Sequence, residues 1–248
     1  MRPRNKKNLE KRIEDTGDVL ETEPKLRKGK WKDGYKSVRV EVGCGKGGFI
    51  CGMAEKNPDV LFVGIECVRN VICTAAEKVK ETGLKNIVLL NTNARYMADF
   101  FEDGEIEMIY LNFSDPWPRD KQEKHRLTSE TFLPLYTKLM VENGVIVQKT
   151  DNRPLFDFSV ETYKNFGAEI KRISYDLHDE AWYGEIDNVV TEYEARFVSL
   201  GTPINYAYVV MPKKADVSEK IKKCEEELAT RKMHEEAFLK SVGRIKED

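Results

Sequence analysis

Val38-Arg39-Val40-Glu41-Val42-Gly43-Cys44-Gly45-Lys46-Gly47-Gly48-Phe49 is the stretch on which the fold assignment turns. Three alternating valines make a short strand, the glycines permit a tight turn, and a helix is expected to start near Gly48. A strand–glycine loop–helix unit lets backbone approach a ligand closely and aims a helix N-terminus at it. Gly43, Gly45 and Gly48 satisfy G-x-G-x-x-G, a spacing compatible with a dinucleotide, with S-adenosylmethionine or with a plain glycine-rich turn.

Glu41 separates the first two. A dinucleotide places a pyrophosphate over the glycine loop, where a carboxylate two residues before the first glycine repels it. S-adenosylmethionine carries an ammonium and a sulfonium, which a carboxylate stabilises. Two unit charges about 4 Å apart interact by roughly 4 kcal/mol at an effective dielectric of 20, so the sign is decisive. The reading favours S-adenosylmethionine.

Downstream, Val60-Leu61-Phe62-Val63-Gly64-Ile65 is a continuous apolar run of the kind that buried parallel strands show, and it ends in Glu66. An acid at that strand tip suits a ribose hydroxyl pair, which both cofactors contain. A third run, Ile87-Val88-Leu89-Leu90, leads to Asn93, a candidate adenine contact or a simple turn residue. Strands are expected near 38–43, 60–66, 86–91, 106–112 and 144–149, alternating with helices near 47–56, 67–82, 94–101, 128–142 and 153–166. Asn57-Pro58, Gly83 and Gly144 mark helix ends, and Thr128 is expected to cap a helix with Glu130 in its first turn. Alternating βα units imply a parallel sheet with right-handed crossovers. In a doubly wound order of 3-2-1-4-5, strands one and four meet at the switch point, where such sheets bind ligands.

The fourth strand runs into Asn112-Phe113-Ser114-Asp115-Pro116-Trp117-Pro118-Arg119. Two prolines stiffen this bend and remove two backbone donors. The bend presents a carboxylate, an indole and a guanidinium together, ahead of Lys121, Lys124, His125 and Arg126. Such a set suits a flat, hydrogen-bonding base on a phosphate backbone; the plainer alternative is a rigid, solvated loop.

With these residues in view, the chain resembles the bacterial single-chain tRNA (guanine-N7)-methyltransferase family from Met1 to about Tyr208. The resemblance rests on Met1-Arg2-x-Arg4, Gly29-Lys30-Trp31, Glu41 with its glycine loop, Gly64-Ile65-Glu66, Asp115-Pro116-Trp117-Pro118, Lys149-Thr150-Asp151-Asn152, and Thr191-Glu192-Tyr193-Glu194 before Arg196-Phe197. It implies that Glu41, Gly43, Gly45, Glu66, Asn93 and Asp115 bind S-adenosylmethionine, with Asp115 also the catalytic candidate. It further implies that Arg119, Asp151, Thr191, Glu192, Tyr193 and Glu194 contact a guanosine of the tRNA variable loop. The expected product is N7-methylguanosine. There are departures: the family usually has Pro at Ser114, Lys at Arg119 and His at Gln122. Asp120, Gln122 and Glu123 dilute the basic run, which implies a weaker phosphate grip. The tail after about Lys213 lies outside the pattern.

By the same resemblance, two further runs at 169–175 and 191–200 are expected to finish the sheet, the last antiparallel. The expected fold class is therefore α/β: a doubly wound, mostly parallel seven-stranded sheet of the S-adenosylmethionine-dependent methyltransferase type. The segment from Asp216 shows Val217, Ile221, Cys224 and Leu228 at helical spacing amid charge. It reads as an amphipathic helix packing on its own domain rather than as a dimer seam.

The chain has 248 residues, enough for one large domain, and a net charge of −2. No run approaches the roughly 20 apolar residues of a membrane helix. No apolar signal-peptide region is read at the N-terminus. Five cysteines form no C-x-x-C pair and three histidines are scattered, so no metal site is expected, and free thiols suit a cytoplasmic protein. An RNA footprint must then be local. Residues 1–36 hold twelve Lys/Arg against seven acids, an excess of five cations, and are expected to form a basic arm that stays mobile until a polyanion orders it. The domain proper is expected over 37–212 and the helical tail over 213–248. Competing readings are an S-adenosylmethionine enzyme with another substrate, a cofactor-binding RNA module without catalysis, and an NAD oxidoreductase. Tyr-x-x-x-Lys is not seen, and Glu41 opposes NAD. A monomer or a homodimer is expected.

Overall fold

The computed structural model describes residues 8–241. The alternating valines form the central strand β1 (Ser37–Val42), and the other apolar runs form β2 (Val60–Ile65), β3 (Ile87–Leu90), β4 (Ile106–Asn112), β5 (Met140–Thr150), β6 (Glu169–Ser174) and β7 (Asn205–Val210). They build one sheet in the order β3-β2-β1-β4-β5-β7-β6. β1 to β5 pair in parallel, while β7 runs antiparallel between β5 and β6. The helices are α1 (Leu9–Glu14), α2 (Gly48–Lys56), α3 (Arg69–Thr82), α4 (Met97–Phe100), α5 (Leu133–Leu139), α6 (Arg153–Phe166), α7 (Glu192–Ser199) and α8 (Ser218–Ser241). One apolar cluster lies on each face of the sheet. Val38, Val40 and Val42 pack with α5 and α6 residues, whereas Phe62, Tyr110 and Val147 pack with α2 and α3 residues.

Three local readings are corrected. The run 191–200 is not the last strand but contains α7. Thr191 Oγ1 accepts from the Glu194 amide at 2.9 Å and Glu194 Oε2 accepts from the Thr191 amide at 3.3 Å, a capping box that starts a helix. Tyr193 and Phe197, one turn apart, stack at 4.4 Å. Their aromatic and β-branched neighbours gave the segment strand-like composition, and the antiparallel strand comes later, at β7. The helix expected over 128–142 shrinks to α5, because Thr128 Oγ1 pairs with Ser159 Oγ at 2.7 Å instead of capping. Gly144 lies inside β5, where a register shift between Met108 and Ile106 absorbs the extra residues.

The described part of the 1–36 segment is packed on the domain. Trp31 is fully buried, stacks on Phe101 at 5.3 Å, and donates from Nε1 to the Phe100 carbonyl at 2.7 Å. Arg12 pairs with Glu77 at 2.5 Å, and Leu20 bridges the edge strand β3 at Leu89. Burying an indole with its N–H satisfied outweighs the solvation of the surrounding lysines. Residues 1–7, with Arg2, Arg4, Lys6 and Lys7, lie outside the described residues. The amphipathic stripe packs as expected: Val217 and Cys224 are buried, with Ile221 and Leu228 against the same core.

Candidate active site

β1 and β4 are neighbours, so their C-terminal ends frame one crevice, with a cavity of about 450 Å³. Gly43, Glu66, Asn93, Asn112, Asp115 and Trp117 are among its lining residues. Gly43 and Gly45 sit at φ 79° and 56°, a left-handed turn that favours glycine. A Cβ on Gly43 would meet nothing within 4 Å, so the space above the loop is open to a ligand.

Strand register decides what lies beneath. Glu41 pairs with Tyr110 and Asn112 pairs with Lys149, so alternation puts Glu41, Asn112 and Lys149 in a row on one sheet face. Glu41 is 3% exposed, one layer below the crevice lining, and its Oε1 accepts from Asn112 Nδ2 at 2.9 Å. Burial raises its carboxyl to about 8, with the Asn112 hydrogen bond and the Lys149 charge opposing. Glu41 Oε2, Asn112 Oδ1 and Ser114 Oγ are buried without a hydrogen-bond partner among the described residues. Three orphaned acceptors at one crevice fit a ligand that brings cationic and hydroxyl donors.

Lys149 is 1% exposed, and its ammonium is fully engaged. Nζ donates to Glu194 Oε2 at 2.6 Å, Asn188 Oδ1 at 2.9 Å and the Val189 carbonyl at 3.1 Å. Burial lowers its pKa, and the attraction of Glu194 opposes that shift. Glu194 is fully buried and also meets His178 Nε2 at 3.1 Å. This network fastens α7 to the sheet directly behind the crevice.

The bend after β4 is strained. Phe113 and Trp117 hold φ at 52° and 44°, which non-glycine residues rarely adopt. Arg126 keeps Trp117 there by donating to the Pro116 and Trp117 carbonyls at 3.2 Å, while its guanidinium lies over Phe158. Phe113 is turned toward Tyr193, 4.9 Å away, and Tyr193 stacks on Phe197. Tyr193 also donates to Asp151 Oδ2 at 3.3 Å. The result is an aromatic ladder with a carboxylate beside it, at the open side of the crevice.

Most of the expected site residues are therefore brought together. Glu66 lines the cavity, its carboxylate held by the Gly45 and Val68 amides at 3.3 and 2.8 Å. Asn93 lines it too, with Oδ1 accepting from the Arg95 amide at 3.0 Å. Asp115 is exposed at the mouth, and Arg119 is exposed just beyond. Asp151 and Tyr193 meet through their hydrogen bond beside Phe113, whereas Thr191 caps α7, and none of the three is among the residues that line the cavity. Two residues are displaced from the open surface where a substrate would lie. Glu194 is consumed by its buried ion pair, and Glu192 points to Lys78 at 3.0 Å.

A family model described as a putative methyltransferase matches residues 35–207. The tRNA (guanine-N(7)-)-methyltransferase of Bacillus velezensis is 44% identical over 212 residues, covering 84% of this chain and 96% of the relative. That of Bacillus subtilis is 42% identical over 212 residues, covering 84% and 98%. The chain belongs to the tRNA (guanine-N7)-methyltransferase family. Among solved structures, the 16S rRNA methyltransferase KamB superposes with a TM-score of 0.57 at 14% identity, over 74% of this chain and 92% of that one, a likeness of fold. The relatives are spanned nearly end to end while part of this chain has no counterpart in them, and the family match stops ahead of α8.

Family membership leaves several residues that sequence reasoning did not place in the site: Lys149, His178, Asn188, Arg126 and Phe113. Lys149 carried a signal, since a lysine closing the apolar run Val145-Ile146-Val147 is buried only if paired. Arg126 belongs to the basic run expected to face a phosphate backbone, whereas the structure turns it inward as a clamp on the Pro116 and Trp117 carbonyls.

Proposed function

We propose that this protein is an S-adenosylmethionine-dependent tRNA methyltransferase that forms N7-methylguanosine in the variable loop, working in the cytoplasm. The observation that carries the reading is the row of orphaned acceptors, Glu41 Oε2, Asn112 Oδ1 and Ser114 Oγ, beneath an open glycine loop. That set suits a ligand with an ammonium at one end and a ribose at the other, the latter reaching Glu66. Bound S-adenosylmethionine supplies an electrophilic methyl group on a sulfonium. Guanine N7 has a free lone pair and loses no proton on methylation, so no general base is required. The chain's own contribution is alignment. Asp115 at the mouth accepts hydrogen bonds from base or cofactor, and Tyr193 with Phe113 offers an aromatic face for the base. Arg119 and Asp151 fix the nucleotide, and Thr191 and Glu194 hold α7 in place for that contact. All these groups come from one chain, which suits a monomer or a homodimer.

The test is tRNA carrying 7-deazaguanosine, in which carbon replaces N7. Labelled methyl transfer should fall to background with that substrate and proceed with unmodified tRNA. Transfer at an equal rate to both would place the acceptor elsewhere and refute the N7 assignment.

A further inference from the structure

Arg95 and His125 are cations or potential cations on the crevice wall, and Arg95 also borders α8, the helix beyond the family match. Arg95 donates from Nη2 to His125 Nδ1 at 2.5 Å, and its Nε is buried without a partner among the described residues. His125 lies against the Trp117 ring at 5.1 Å, so this pair forms one wall of the crevice. α8 is tied down beside it, Lys232 to Asp99 and Glu235 to the Tyr96 hydroxyl. Arg95 borders a cavity with Leu228, Ala229 and Lys232 of this helix, and Arg231, next to Lys232 and one turn before Glu235, is close enough for its charge to act on both Arg95 and His125. Asp99 is already engaged by Lys232, and Glu235 is the acid whose charge reaches Arg95. Like charges gathered at a rim, with one guanidinium nitrogen orphaned, match an anion that arrives with a ligand.

We propose that Arg231 of α8, set beside Arg95 and His125 at the crevice rim, is a tRNA backbone contact: a phosphate seat that this chain adds to its family's surface. The proposal rests on the reading of tRNA as substrate. It also answers the dilution of the basic run by Asp120, Gln122 and Glu123, because a helix from the far end of the chain restores a cation to the same place. A planar guanidinium suits a phosphate better than a flexible ammonium does.

The experiment uses full-length enzyme with Arg231→Ala, Arg231→Lys and Lys220→Ala. Lys220 is the control, on the same helix but turned to the Asn165 carbonyl and the Phe166 ring, away from the rim. Binding of unmodified tRNA is titrated from about 50 to about 200 mM salt, where one lost phosphate contact lowers the slope of log K by about 0.7–0.9. The advantage of wild type over Arg231→Ala should thus shrink about threefold across that range. The tRNA KM of the variant should rise at low salt, Arg231→Lys should recover part of the loss, and Lys220→Ala should match wild type. Unchanged affinity and slope in Arg231→Ala would overturn the proposal, as would an equal slope loss in Lys220→Ala. Weakened S-adenosylmethionine binding with tRNA binding intact would reassign the cluster to the cofactor carboxylate and also overturn it. Failure of wild type itself to bind or methylate tRNA would instead sink the underlying functional reading.

Discussion

Replacing Glu41 by Gln should abolish a proton release that accompanies cofactor binding. In the free protein this carboxyl is buried, with a pKa raised to about 8, and Gln keeps the acceptor that Asn112 Nδ2 uses at 2.9 Å. At about pH 7 roughly nine-tenths of the molecules then carry a proton on Glu41. A cation near the orphaned Oε2 favours the carboxylate and expels that proton. The sign follows: affinity for S-adenosylmethionine rises with pH, about tenfold per unit between about pH 6 and 7, and levels as pH nears 8. The ligand's own ammonium titrates at about 7.7–8.0, which bounds the useful window from above. Calorimetric titration in buffers of different ionisation enthalpy should show about 0.9 proton released per cofactor by wild type near pH 7, and none through this group in Glu41→Gln. At pH 7 one pKa unit of uphill ionisation costs wild type about 1.4 kcal/mol of its binding energy. Equal pH slopes in the two proteins, or no proton release by wild type, would refute the reasoning.

Lys149→Met takes the ammonium away from the buried Glu194 carboxylate, leaving it His178 and the Thr191 amide, which should cost about 3–5 kcal/mol in thermal or urea unfolding, and adding Glu194→Gln should recover part of it; a loss under about 1 kcal/mol would show that the pair is dispensable. Asp115→Asn should lower kcat by about a hundredfold through misalignment, while the wild-type kcat at saturating cofactor and tRNA from about pH 6.5 to 8.5 shows no titration of an essential base; an unaltered kcat would remove Asp115 from the chemistry. Trp31→Ala should destabilise the protein by about 3–5 kcal/mol, as expected for a core indole, and urea unfolding with wild-type stability would mean that this segment is only laid on the surface.

Much of the architecture was open to direct reading because it rests on local physics. The valines of β1, the apolar runs of β2 and β3, and the glycine loop depend on side-chain alternation and on φ freedom, which are properties of neighbouring residues. Glu41, Glu66 and Asp115 stand where such strands end, so their convergence on one crevice follows once the strand order is known. The composition of α7 resembles a strand and outweighs its Thr191-x-x-Glu194 spacing in a reading of the sequence, whereas the structure closes that spacing into a capping box. The tertiary structure alone could decide the rest. Lys149 and Glu194 are far apart in the chain, and what makes them partners is that each is too costly to bury without the other. Trp31 sits in a lysine-rich stretch yet is buried, because the apolar surface it covers belongs to residues some seventy positions away. α8 comes to lie beside Tyr96 and Asp99 for the same reason: it buries Val217 and Cys224, and that packing, not any local signal, sets Glu235 and Lys232 against them.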